Sequence, residues 1–84
     1  MSTFELIEAK GEPSGIFRLR YGSGPNDPLP FILTLMPSYV AHALGKTLPI
    51  MLQDIQEYAG RNADQLKAIA QRVKDSGRNT EVLE

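Results

Sequence analysis

The residue types that carry most enzyme chemistry are scarce in this chain. It contains one histidine, His42, and no cysteine, which excludes thiolate nucleophiles, cysteine zinc sites and clusters of imidazole ligands. Ser38 lies four residues before His42, within side-chain reach on a helix. A catalytic serine also needs an orienting acid and a strained nucleophile turn, and neither accompanies this pair. We therefore interpret Ser38 and His42 as polar surface residues.

Two glycine-containing segments match nucleotide-binding motifs only in part. Gly45-Lys46-Thr47 has the end of a phosphate-binding loop, but that motif requires a glycine where this chain has Val40. Gly22-Ser23-Gly24 has the start of a dinucleotide fingerprint, but Asp27 occupies the third glycine position. The first segment therefore predicts an interruption of a helix, and the second predicts a loop between strands.

Two pairs of carboxylates stand close enough in sequence to suggest acid–base chemistry. They are Glu5 with Glu8, and Asp54 with Glu57. General acid–base catalysis needs such groups in a pocket that separates their pKa values, and we expect both pairs on solvated edges instead. The sequence therefore predicts that the protein is not an enzyme and needs neither a cofactor nor a metal ion. A small enzyme of unknown reaction is the least favoured alternative.

The composition predicts one small globular domain. With 84 residues, of which 42% are hydrophobic and 23% charged, the chain supports a single core, and disorder throughout is not expected. The net charge of −1 argues against a protein whose main ligand is a nucleic-acid backbone. The start of the chain lacks the pattern of a secretory signal, and no apolar stretch approaches the roughly 20 residues of a membrane span. We expect a cytoplasmic protein without a membrane partner.

The first 36 residues follow the two-residue period that is typical of β-strands. Strands are predicted over residues 3–9, 16–21 and 31–36, with a turn at 11–15 and a glycine- and proline-rich loop at 22–28. Arginines alternate with apolar residues in the second strand, whereas the third is largely apolar on both faces. The short connections favour an antiparallel meander.

Beyond Pro37 the apolar residues recur at intervals of three or four, which is typical of a helix. Two structures fit the interruption by Gly45 and Pro49: one long kinked helix, or a short helix, a turn with Thr47 as N-cap, and another helix. We favour the kinked helix because its apolar stripe keeps phase. The stripe consists of Val40, Leu44, Leu48, Met51, Ile55 and Tyr58.

A shorter helix is predicted between Gly60 and Gly77, beginning with a capping box at Asn62. Residues 79–84 are predicted to form a flexible C-terminal tail, so that residues 1–78 form the single domain.

These elements predict an α+β fold: a three-stranded antiparallel β-meander, a long kinked or broken helix packed on the sheet, and a shorter C-terminal helix. One face of the sheet meets the helices in the predicted core. Its strand residues are Phe4, Leu6, Phe17, Leu19, Tyr21, Phe31, Leu33 and Leu35, and its helical residues are Val40, Leu44, Leu48, Met51 and Ile55.

The outer face of the same sheet is the candidate binding surface. An uncovered face with this much apolar surface is unusual for a lone small domain, and arginine stems extend it. Because two-fold pairing would bury the face on both subunits, we predict a small non-enzymatic interaction module that is a homodimer or binds another protein. In the alternative, the tail covers this face through Val82 and Leu83. The candidate binding residues are Ile7, Arg18, Arg20, Ile32 and Thr34.

The last helix is locally basic, and a basic helix can bind phosphates. Cations are also common on solvated faces near a helix C-terminus, so nucleic acid is the less favoured partner. The candidate contacts for it are Lys67, Arg72, Lys74 and Arg78.

Residues 31–59 show the order strand, Met36-Pro37, helix, Gly45-Lys46-Thr47, and a second helix ending at Glu57-Tyr58. This order resembles the ribbon-helix-helix family of DNA-binding repressors, over about a third of the chain. The resemblance implies a DNA-binding regulator, which is the main alternative to the protein-binding module.

Overall fold

A computed structural model describes residues 4–84, and it confirms the α+β class with a four-stranded mixed sheet and three helices. The predicted start of the first strand, at residue 3, lies outside the described residues. No helix within residues 4–84 is long and apolar enough to cross a membrane. In chain order the elements are β1 (Glu5–Gly11), β2 (Phe17–Gly22), β3 (Phe31–Leu35), α1 (Pro37–Leu44), α2 (Leu52–Arg61), α3 (Ala63–Asp75) and β4 (Thr80–Leu83).

The sheet has the strand order β1-β2-β3-β4, and its first three strands form the predicted antiparallel meander. The fourth strand, β4, runs parallel to β3. The Met36 amide donates to the Leu83 carbonyl at 3.0 Å, and the Ile32 amide donates to the Asn79 carbonyl at 2.9 Å. The prediction of a flexible tail over residues 79–84 is therefore corrected. The free edge of β3 provides the unpaired backbone groups that this segment needs to become a strand.

The predicted long helix is broken. Gly45 takes a left-handed conformation with φ 68°, which glycine adopts at little cost and which ends α1. The next helix begins only at Leu52, where the Asp54 carboxylate accepts a hydrogen bond from the Met51 amide at 2.8 Å. The kinked-helix prediction is wrong, and the broken alternative is correct except that Thr47 does not cap the second helix.

All three helices contribute to the core on one face of the sheet. The break removes Leu48 and Met51 from the predicted core, because residues after Gly45 leave the helical period; they are 56% and 66% exposed. Ile50 enters the core in their place, and Leu6, at 39% exposed, also departs from the prediction. The fully buried side chains of the core include Leu19, Tyr21, Phe31, Leu33, Leu35, Val40, Ile55 and Leu66.

Candidate functional site

The face of the sheet opposite the helices, called here the outer face, carries two rows of side chains. In one row Arg20 lies between Glu8 and Ile32, and in the other Arg18 lies between Lys10 and Thr34. Strand alternation forces this arrangement, because the residues between these positions point into the core. The structure therefore brings four of the five predicted binding residues together as neighbours on β2 and β3.

Ile7, the fifth predicted residue, lies at a β-bulge. Leu6 pairs with Tyr21 and Ala9 pairs with Leu19, so two residues of β1 stand between these two inward positions. The register shift leaves Ile7 beside Glu8, opposite the single residue Arg20. Ile7 is half-buried and is not packed against the core. The bulge thus adds it to the outer face.

The new strand β4 extends the outer face. Thr34 pairs with Val82, and Ile32 pairs with Thr80. Val82 is 47% exposed. The alternative in which the C-terminal segment folds over this face is corrected, because the segment pairs with the edge of β3 and does not cover the sheet.

Charged groups of both signs lie within the outer face, and Arg20 on β2 stands between Ile7 on β1 and Ile32 on β3. The Arg18 guanidinium lies 3.0 Å from the Glu12 carboxylate, and that of Arg20 lies 3.3 Å from Glu8. The Nε atom of Arg20 is buried and has no acceptor among residues 4–84. Exposed ion pairs of this kind contribute about 0–1 kcal/mol, so a partner can exchange them at little cost.

The basic residues proposed for nucleic acid do not form one patch. Lys67 and Lys74 share one side of α3, and the Lys74 ammonium lies 4.9 Å from the centre of the Phe4 ring. Arg72 emerges from another side of the helix, and Arg78 lies 3.6 Å from the Glu81 carboxylate. The four basic side chains therefore do not form one continuous positive surface for a nucleic-acid backbone.

The strand that carries the resemblance to the ribbon-helix-helix family is β3, and it is an interior strand of the sheet. β3 is paired with β2 on one side and with β4 on the other. Both of its edges are thus occupied within the chain, so it has no free edge with which to form a ribbon with a second copy.

The carboxylate pair of α2 is engaged by a lysine. The Lys46 ammonium donates to Asp54 at 2.6 Å and to Glu57 at 3.2 Å. The hydrogen bond from Lys46, followed by that from the Met51 amide, lowers the pKa of Asp54. A carboxylate held ionised in this way orders the start of α2 and is poorly suited to act as a general acid.

The remaining candidates for catalysis or metal binding were Ser38, His42 and clusters of metal-ligating side chains. His42 and Ser38 are both exposed, and no side-chain hydrogen bond among residues 4–84 joins them. Across the same residues, no group of three or more His, Cys, Asp or Glu side chains is placed to hold a metal ion.

A cleft that the sequence did not predict opens beside Tyr21, between the start of β1 and helices α2 and α3. Its volume is about 340 Å³. Tyr21 is 1% exposed, its hydroxyl has no hydrogen-bond partner among the described residues, and burial raises its pKa to about 12. The sequence signal for the cleft was the spacing of Ala59, Gly60 and Ala63, whose small side chains leave space between elements.

Over residues 4–84 the fold is a small α+β domain whose sheet has helices on one face and none on the other. Comparison with protein-family models, with curated proteins and with solved structures finds no match. The function is therefore argued from the chain's own geometry.

Proposed function

We propose that this protein is a non-enzymatic interaction module and that a second copy of the chain is the partner of its outer face. The observation that carries the proposal is the uncovered apolar part of this face. It combines Ile32 and Val82 with the bulged Ile7 on a sheet whose helices all pack on the opposite side. Two sheets can pack face to face at a spacing of about 10 Å by interdigitating such side chains.

Charge supports a second copy as the occupant. The outer face carries Glu8 and Glu12 beside Arg18 and Arg20, so a two-fold axis through it can bring opposite charges together across the interface. A chain with a net charge of −1 is also weakly repelled by its own copy. The Arg20 side chain is 43% exposed, so its terminal nitrogens can also donate to a partner's carboxylate or carbonyl.

A non-enzymatic role fits the same surface. An open sheet face provides contact area and no enclosed pocket for a reaction. The carboxylates of α2, which are the chain's clearest acid–base candidates, already bind Lys46. The cytoplasmic location predicted from the sequence is part of this proposal, and fractionation of the native host's cells tests it.

The experiment is sedimentation equilibrium of the purified chain at tens of micromolar, compared with two variants. The unmutated chain is expected to have about twice the mass of one chain. Ile32→Glu introduces a charge at the centre of the outer face and is expected to give a folded monomer. Leu29→Glu is the matched control, because Leu29 is 66% exposed in the loop before β3, and it is expected to stay dimeric.

Circular dichroism separates loss of association from loss of fold. Because the side chain of Ile32 points away from the core, Ile32→Glu is expected to keep the helical signal of the parent chain. A monomeric parent chain would contradict the homodimer. A dimer that survives Ile32→Glu would show that the chain associates through another surface.

A further inference from the structure

The cleft beside Tyr21 lies on the helix side of the sheet, away from the outer face. Its walls are mostly apolar, with Leu6 from β1 and Ala59 and Ala63 from the helices. Three polar groups join them, from Tyr21, Gln56 and Lys67. At about 340 Å³ the cleft falls within the range of small-molecule sites, which combine apolar walls with a few polar groups in this way.

Two of the polar groups lack partners. Tyr21 is almost completely buried, and its hydroxyl has no hydrogen-bond partner within residues 4–84. Buried hydroxyls are nearly always hydrogen-bonded, so the Tyr21 hydroxyl is a donor that still has room for an acceptor. Lys67 is half-buried and forms no ion pair with any of the described residues. Both groups donate hydrogen bonds, and a half-buried ammonium favours an anion.

Glu5 also lines the cleft. It is exposed, and strand alternation places it on the side of β1 opposite Leu6. It forms no ion pair with Lys67 among the described residues, so the Lys67 ammonium can pair with an anionic ligand.

We infer that this cleft binds a small organic carboxylate with an apolar body. The carboxylate pairs with Lys67, the Tyr21 hydroxyl supplies a further donor, and the apolar body packs on Leu6, Ala59 and Ala63. This site is separate from the dimer surface, so it stands or falls independently of the proposed homodimer.

Three probes of the same shape test the charge preference: 3-phenylpropionate, 3-phenylpropan-1-ol and 3-phenylpropylamine. In NMR titrations, the carboxylate is expected to shift the amide signals of Ala59, Gly60 and Ala63 in a saturable way. The alcohol is expected to bind about threefold to fivefold more weakly, which is the effect of one partly exposed ion pair. The amine is expected to bind most weakly.

Two substitutions on α3 assign the preference to one residue. Lys67→Gln is expected to remove the advantage of the carboxylate while leaving the binding of the alcohol unchanged. Arg72→Gln makes the same change of charge on another side of the same helix and is expected to keep the full preference. Equal binding of all three probes by the parent chain, or a preference that survives Lys67→Gln, would overturn the inference.

Filling the cleft gives a test that does not depend on charge. A Cβ atom built at Gly60 meets no heavy atom within 4 Å, so Gly60→Leu can place its side chain in the cleft opening without a clash at its Cβ. The variant is expected to melt no lower than the parent chain and to lose binding of the carboxylate. Tyr21→Phe is expected to stay folded and to bind the carboxylate more weakly. No saturable shift in the parent chain, or unchanged binding by folded Gly60→Leu, would refute the site.

Discussion

The β2–β3 hairpin and the connection between α1 and α2, residues 45–51, both carry large apolar side chains but bury them differently. In the hairpin, Phe31, Leu33 and Leu35 are all 0% exposed. In the connection, Leu48 and Met51 are both more than half exposed, and only Ile50 reaches the core. The two regions therefore carry similarly apolar side chains but differ in how many of them are buried.

The difference shows that backbone regularity decides which apolar residues are buried. In a strand, every second side chain points to the same face, so one inward residue fixes the direction of its neighbours. Once Gly45 ends α1 in the left-handed conformation, no period relates the residues that follow. Each residue of the connection is then buried or exposed according to its local surroundings.

The largest effect is expected in the hairpin. Leu33→Ala removes a fully buried side chain and should lower the free energy of unfolding by about 3 kcal/mol, through lost transfer energy and the cavity left behind. Thr34→Ala, on the outer face of the same strand, should cost less than about 1 kcal/mol. Urea unfolding of both variants measures the contrast. Equal losses would show that the two faces of β3 do not differ in packing as described.

A second prediction tests how far the hairpin depends on β4. Ending the chain at Asn79 removes the Leu83 carbonyl that accepts from Met36, together with the contact of Leu83 with the core. The loss is expected to be about 2 kcal/mol, from hydrogen bonds and a partly buried leucine. The Met36 amide should also exchange with solvent faster than in the full chain. If the free energy of unfolding and the exchange rate of the Met36 amide did not change, the C-terminal segment would be a flexible tail, as predicted from the sequence.

The regular part of the fold could be predicted from the sequence, because alternation in strands carries its own direction. The pattern of Arg18 and Arg20 against Leu19 indicated both the strand and its faces, and the structure places these residues accordingly. β4 could not be predicted, because four residues near a chain end form a strand only by pairing with the edge of β3. That edge exists only after the rest of the sheet has folded.

The sequence allowed the broken helix without favouring it and did not predict the cleft, for a related reason. The apolar stripe from Val40 to Tyr58 keeps phase in the sequence, but a period does not reveal where the backbone leaves the helix. Tyr21 was correctly predicted to be buried. Its unpaired hydroxyl depends on which side chains of α2 and α3 lie opposite it, and this is a property of tertiary packing alone.

A third prediction concerns the one residue that anchors the connection. Ile50 is 8% exposed, so Ile50→Ala should lower the free energy of unfolding by about 2 kcal/mol, at the low end for a buried isoleucine. Leu48→Ala is the matched control, and it should change stability by no more than about 0.5 kcal/mol because Leu48 is mostly exposed. Thermal and urea unfolding measure both variants. A larger loss for Leu48→Ala would mean that the connection packs through the other side chain.

The smallest effect is expected from the ion pairs that tie the connection to α2. The hydrogen bond between Lys46 and Asp54 lowers the pKa of Asp54 from 3.8 and raises that of Lys46 from 10.5. A lowered carboxylate pKa contributes stability that is present above 3.8 and is lost as the pH falls through the folded-state pKa. For Lys46 the contribution is present below 10.5 and is lost as the pH rises through its raised folded-state pKa.

Lys46→Met should therefore be slightly less stable than the parent chain at neutral pH, and the difference should vanish in acid once Asp54 is protonated. Urea midpoints of both chains at neutral pH and at about pH 2 measure it. Arg72→Met is the control, because Arg72 is exposed on α3 and forms no ion pair with any described residue. Any change in stability that it causes should therefore be the same at both pH values. A deficit of Lys46→Met that persists in acid would mean that the lysine stem, and not its charge, stabilises the connection. The region without a backbone period would then be held by packing, as the hairpin is.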